Sequence, residues 1–213
     1  ALLADPLYLG KPRRRLRGPA YDALIEEFFA AATKRYPHAL IQFEDFANHN
    51  AFRLLEKYRG RACVFNDDIQ GTASVTLAGL FSAGKITRAG LSEQKILFHG
   101  AGEAAIGIAD LIVSAMIEEG ASSAEAQARC WFMDSKGLVE SGRGDLQSHK
   151  KSYAHAHAPI GDILAAVKDL KPTVLIGASG KPGQFTREII EEMSRNNPRP
   201  IIFALSNPTA NAE

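Results

Sequence analysis

Apolar residues fall in short runs along the chain. Each run is followed by a polar or glycine-rich turn, and each turn by a longer stretch with helical spacing. The runs Ala39–Phe43, Ala62–Phe65, Lys95–His99, Cys130–Met133, Thr173–Ile176 and Pro200–Ala204 are short and mostly apolar, which predicts strands. Tyr21, Leu24, Ile25, Phe28 and Ala32 recur at helical spacing, so Pro19–Arg35 is predicted as an amphipathic helix closed by Pro37. A second helix, capped by Asn48 or Asn50 and stopped by Gly60, carries Phe52, Leu54 and Leu55 inward. Further helices are predicted over Thr72–Ala83, Ile106–Met116, Ile160–Leu170 and Thr186–Arg195. Leu138–Ala158 is polar and reads as a surface excursion. This alternation of strand and helix predicts an α/β fold: a Rossmann-like, doubly wound parallel sheet with right-handed crossovers. No repeat, low-complexity segment or linker interrupts it, so the expected boundary between residues 1–70 and 71–213 is an ordered one near Gln70-Gly71.

Two of the strands end in acidic pairs. Glu44-Asp45 follows the run ending at Phe43, and Asp67-Asp68 follows the run ending at Phe65. Chemistry in an α/β protein collects at the C-terminal ends of parallel strands. If these strands are neighbours, the carboxylates converge and repel unless a divalent cation neutralises them. Oxygen-only ligands point to Mg²⁺ or Mn²⁺. The competing reading makes the four acids loop residues or helix caps.

Between the strand ending at His99 and the apolar helix starting at Ile106 lies Gly100-Ala101-Gly102-Glu103-Ala104-Ala105, a G-x-G-x-x-A turn. Gly100 permits the tight turn, Gly102 a close approach to a pyrophosphate, and Ala105 close helix–strand packing. The following strand ends in Asp134, where such folds place an acid against the adenosine ribose. Ser135, Lys136 and the pair Lys150-Lys151 follow. One of these lysines folding over the ribose would offset a 2′-phosphate; otherwise Lys150 and Lys151 are a solvated pair. Gly177–Gly183 is a second glycine turn without the Walker pattern, so Lys181 is not a P-loop lysine. Asn207-Pro208 sets an amide at a last strand end, with turn formation as its plainer role. His155 and His157 have ligand-like spacing but no third nitrogen or sulfur ligand nearby.

Bulk properties narrow the classes. The chain has 213 residues and a formal net charge of +1, which argues against a nucleic-acid or membrane role for the chain as a whole. The basic cluster Lys11–Arg17 has no aromatic or glycine-rich accompaniment and reads as a solvated or interface strip. Cys63 and Cys130 both lie in apolar runs and read as reduced core residues. That favours a reducing compartment, the cytoplasm with an organelle left open. No apolar stretch is long enough to span a bilayer, and there is no signal-peptide pattern. A start at Ala1 and a stop at Glu213, just after a turn, are expected of a segment of something longer.

Glu44-Asp45-Phe46-Ala47-Asn48 and Phe65-Asn66-Asp67-Asp68-Ile69-Gln70-Gly71-Thr72, with Gly100–Ala105 and Ala204–Thr209, closely resemble malic enzyme in content and order. The resemblance extends over nearly the whole chain. It implies oxidative decarboxylation of L-malate to pyruvate and CO₂ by an oligomeric parent enzyme. It further implies Glu44, Asp45 and Asp68 as metal ligands and Asp67 as a partner that tunes the catalytic base. Asn48, the Gly100–Ala105 turn, Asp134, Ser135, Lys136, Lys151 and Asn207 would bind the cofactor. Serine and lysine after Asp134, with a lysine near Lys151, look like the NADP⁺-preferring branch; NAD⁺ remains the alternative. The family's lysine base and tyrosine acid lie upstream of the matched segment, and a substrate-binding asparagine lies downstream of Asn207, so the chain alone is expected to lack activity. A non-catalytic dinucleotide-binding or oligomerisation module is the rival reading.

Overall fold

The structure is a computed structural model that describes residues 4–11 and 13–213. A five-stranded sheet forms its centre, in the order β5 (Gly137–Leu138), β4 (Cys130–Asp134), β3 (Ile96–His99), β6 (Val174–Gly177), β7 (Ile201–Ala204). β3, β4, β6 and β7 are parallel, whereas β5 pairs antiparallel with β4 through Met133–Leu138 and Asp134–Gly137. The antiparallel edge departs from the wholly parallel sheet expected from the sequence. Its cause is a turn just past Asp134 that returns the chain alongside β4, with Gly137 at φ +112°.

The sheet is covered on both faces, which is why its strands read as unbroken apolar runs rather than alternating ones. Ile96, Phe98, Phe132, Val174 and Ile176 face α4 (Glu103–Glu118) and α3 (Thr72–Thr87). Leu97, Met133 and Leu175 face α6 (Ile163–Leu170) and α7 (Arg187–Asn196). A short α5 (Ser123–Ala128) precedes β4 and is closed by a reciprocal Ser122–Glu125 capping box.

The N-terminal part has its own small core. α1 (Pro19–Arg35) packs Phe29 on Phe43, Leu54 and Tyr58, and the Phe29 and Tyr58 rings stack with centroids 3.7 Å apart. The buried face is therefore Tyr21, Ile25 and Phe29 at i, i+4 spacing; Leu24 and Phe28, expected inside, are half exposed. β1 (Ile41–Phe43) and β2 (Val64–Asn66) form a two-stranded parallel sheet, each shorter than its apolar run. Leu40 and Cys63 are exposed as a result, so Cys63 is not a core residue, while Cys130 is buried. α2 (Asn48–Tyr58) is not capped by an asparagine: its N-cap is Ala47, with no side-chain cap bond. Its buried residues are Ala51, Leu54 and Tyr58, with Phe52 and Leu55 partly covered. The side chain of Asn48 and residue Pro12 of the basic cluster lie outside the described residues.

After β2 the chain makes one wide helical turn over Asp67–Gly71 and runs straight into α3, so the acids expected on a polar turn sit at a helix start. The segment Leu138–Ala158 is also more than a surface excursion. Leu138, Val139 and Tyr153 are buried, and Tyr153 donates to Asp110 Oδ1 at 2.6 Å. Among the described residues, no helix is long and apolar enough to cross a membrane.

Candidate active site

Phe43 pairs with Asn66 across the two parallel strands, so the acids that follow leave the small sheet at one end. One carboxylate oxygen each from Glu44, Asp45 and Asp68 gathers within 4.8 Å of the others. Asp45 N donates to Asp68 Oδ2 at 3.0 Å, which ties the two loops together. Asp45 and Ala47 both take positive φ, 56° and 55°, and the chain bends sharply between β1 and α2. Asn66 is fully buried and anchors the turn: its Oδ1 accepts from Ile69 N at 2.9 Å, and its own N–H donates to Gln70 Oε1 at 3.0 Å. Loss of some solvent to the neighbouring loop, with the charges of Asp68 and Asp67 beside it, raises the exposed Glu44 carboxyl above its ordinary range. A like-charge cluster of hard oxygen donors fits a Mg²⁺- or Mn²⁺-sized divalent ion. Asp67 folds back over the helix start; a Cβ at Gly71 would lie 2.3 Å from its Oδ1, so a larger residue there would push the Asp67 carboxylate aside.

The glycine turn behaves as the motif requires. Gly100 has φ +119°, and a Cβ there would lie 2.3 Å from the Ala178 carbonyl oxygen. Ala105 is fully buried against the sheet. Gly100, Ala101, Gly102 and Glu103 border a cavity of about 790 Å³ that continues to Asp134, Ser135 and Lys150 on one side and to Ala178, Ser179 and Lys181 on the other. A cleft of that size, with a helix N-terminus at its middle, suits an extended dinucleotide.

Asp134 is held in a knot of charges. Arg143 grips both its oxygens at 2.9 and 3.0 Å, Lys150 Nζ reaches Oδ2 at 2.9 Å, and Lys136 N donates to Oδ1 at 2.9 Å. Burial works to raise the Asp134 carboxyl, but these donors outweigh it and hold the group below its ordinary range. Lys136 Nζ pairs with Asp145 at 2.6 Å. Lys151 is exposed, makes no ion pair among the described residues and does not border the cavity, whereas Lys150 does. His155 Nε2 lies 2.8 Å from the Cys130 carbonyl oxygen and His157 Nε2 2.9 Å from Asp169, so the two histidines do not form a metal pair.

A second cavity of about 560 Å³ joins the two motifs. Asp45, Asp68, Ala104, Ser206 and Asn207 line it, with Arg15 from the basic cluster. Glu103 borders both cavities, and burial together with the Asp68 charge pushes its carboxyl up to about 7. Sequence reasoning passed over Arg15, Arg143 and Glu213, and took Glu103 only as part of the glycine turn. A lone arginine nine positions after a strand-end acid carries no local signal, and Arg15 looked like surface charge.

Two family models match the chain on either side of residues 60–68: malic enzyme, N-terminal domain, over residues 1–59, and malic enzyme, NAD binding domain, over residues 69–213. The chain belongs to the malic enzyme family. The NADP-dependent malic enzyme of Anas platyrhynchos is 58% identical over all of this chain, which spans 38% of that enzyme's length. The human NADP-dependent malic enzyme is 54% identical over the whole chain, with 37% of its length covered. Among solved structures, Entamoeba histolytica malic enzyme superposes with a TM-score of 0.72 at 32% identity, over 89% of this chain and 38% of its own. The NAD-dependent malic enzyme of Thermotoga maritima gives 0.66 at 26% identity, over 87% and 47%. This malic enzyme chain is thus a mixed α/β structure that spans less than half the length of these relatives.

Proposed function

We propose that this chain carries the metal- and cofactor-binding part of an NADP⁺-dependent malic enzyme that oxidatively decarboxylates L-malate to pyruvate and CO₂. The observation that carries the reading is the gathering of the Glu44, Asp45 and Asp68 carboxylates beside a nucleotide-sized cavity, with Glu103 bordering both spaces. When bound, a divalent cation supplies Lewis acidity at the substrate oxygens and the nicotinamide supplies a hydride acceptor. The chain's own residues do the holding. Glu44, Asp45 and Asp68 present the oxygen ligands. Asp67, packed behind them against Gly71, orients the group that takes the substrate proton. The Gly100–Ala105 turn directs backbone N–H groups at the pyrophosphate. Asn207 offers an amide to the nicotinamide end, and Arg15 offers a guanidinium to a dicarboxylate in the same cavity.

The lysine base and tyrosine acid implied by the resemblance are not in this sequence, so this chain alone is expected to bind but not turn over. The reading is tested by transplanting residues 1–213 into the matching segment of the Anas platyrhynchos enzyme. With Mn²⁺, L-malate and NADP⁺ the chimera should form pyruvate and NADPH in equal amounts, and Asp67→Asn should reduce the rate roughly 10–100-fold. A folded chimera that binds NADPH yet forms no pyruvate would refute it.

A further inference from the structure

Glu213 is a buried carboxylate, 8% exposed, lying across two loops at once. Its Oε1 accepts from Ser179 N at 2.7 Å, Ser179 Oγ at 2.9 Å and Ser206 Oγ at 2.6 Å, and its Oε2 lies 3.4 Å from Ser206 N. Ser206 Oγ in turn accepts from Gly180 N at 2.9 Å. The backbone seals the arrangement: Phe185 N donates to Glu213 O and Gly183 N to Ala212 O, at 2.8 and 3.1 Å. Gly177 leaves the space, since a Cβ there would meet the Glu213 carboxyl carbon at 2.6 Å. Burial works to raise this carboxyl, and the serine donors outweigh it, keeping it charged.

The loops it joins follow β6 and β7. The turn after β6 borders both cavities, with Ser179 and Lys181 at the dinucleotide cleft and Gly180 at the acidic one; Ser206 and Asn207 after β7 border the acidic one. The order β5-β4-β3-β6-β7 fixes what lies there. With the pyrophosphate at the β3 turn and the adenosine at Asp134 beyond β4, the nicotinamide half must extend the other way, over β6 and β7.

We infer that Glu213 is a positioning residue for the nicotinamide half of the cofactor. It clamps the Gly177–Gly183 turn to the Ser206-Asn207 turn, so that Asn207 meets the nicotinamide at a fixed distance. The inference rests on the cofactor reading above. A charged acceptor serving four donors holds loops more firmly than a neutral one, and both loops lie after β6 and β7, away from Asp134 at the end of β4.

The test uses the 213-residue chain and two probes, NADPH and 2′,5′-ADP, which shares only the adenosine half. Affinities and melting temperatures are measured for wild type, Glu213→Gln and Ser206→Ala. Both variants should lose roughly tenfold or more in NADPH affinity while 2′,5′-ADP binding stays within about twofold. Equal losses for both probes, or unchanged NADPH affinity in variants that melt cooperatively, would overturn the inference. Should Glu213→Gln fail to fold, Ser206→Ala decides alone. Wild type that binds neither probe refutes the cofactor reading and the inference with it.

Discussion

Phe43 and Asn66 are register partners on parallel strands, and that pairing fixes the site. Glu44 and Asp45 follow one partner directly and Asp67 and Asp68 follow the other, so all four acids emerge at the same end of the small sheet. An antiparallel pairing would have sent them to opposite ends. The repulsion of the cluster reaches Glu103 at the start of α4, whose carboxyl responds to Asp68.

Glu103 therefore makes stability depend on pH. Its folded pKa, about 7, lies above the ordinary 4.5. The proton it holds stabilises the fold fully below the unfolded value, and that contribution is lost as pH rises through the folded value. Between pH 4.5 and 7 this contribution lowers the denaturation midpoint, against an opposite slope from His99 and His149, whose folded values are lowered by burial, and Glu103→Gln should remove it from the profile. Parallel profiles for the two proteins would show that Glu103 does not titrate in this range.

Gly100 cannot be replaced quietly. Its φ of +119° and the 2.3 Å approach to the Ala178 carbonyl leave no room for a methyl group. Gly100→Ala should cost more than about 1 kcal/mol in denaturant unfolding and abolish measurable NADPH binding. Wild-type affinity in this variant would show that the cofactor does not use the turn.

The charges around Asp134 separate two lysines that the sequence leaves side by side. Lys150 is committed to Asp134, while Lys151 makes no ion pair among the described residues and remains the lysine proposed for a 2′-phosphate. Lys151→Gln should weaken NADP⁺ binding roughly tenfold and leave NAD⁺ binding unchanged. Lys150→Gln leaves Asp134 held by Arg143 but takes a cation from the cavity, and should weaken both. Equal NADP⁺ affinity in wild type and Lys151→Gln would remove Lys151 from cofactor choice.

The strands, the glycine turn and the two acidic pairs were legible because each rests on short-range pattern: an apolar run, a fixed glycine spacing, two acids in a row. What was not legible depends on chain reversal and on distant partners. Arg143 reaches Asp134 only because β5 turns back along β4. Cys63 is exposed because pairing in the small sheet begins at Val64 rather than at Ala62. In α1, Phe28 and Phe29 compete for one inward position, and only the stack on Tyr58 decides for Phe29.

Ala47 marks where the site strains the fold. It takes φ 55° and ψ 150° as the N-cap of α2, a region suited to glycine. Ala47→Gly should relieve that strain for a net gain on the order of 1 kcal/mol after glycine's entropic cost. The denaturation midpoint would rise; a fall would place the cost elsewhere.

The account turns on the three gathered carboxylates, and Mn²⁺ titration followed by electron paramagnetic resonance tests them most directly. The wild-type chain should take up one Mn²⁺, and Glu44→Gln, Asp45→Asn and Asp68→Asn should each weaken uptake at least tenfold, or about 1.4 kcal/mol. Uptake that is absent in wild type, or unchanged in all three variants, would contradict the account.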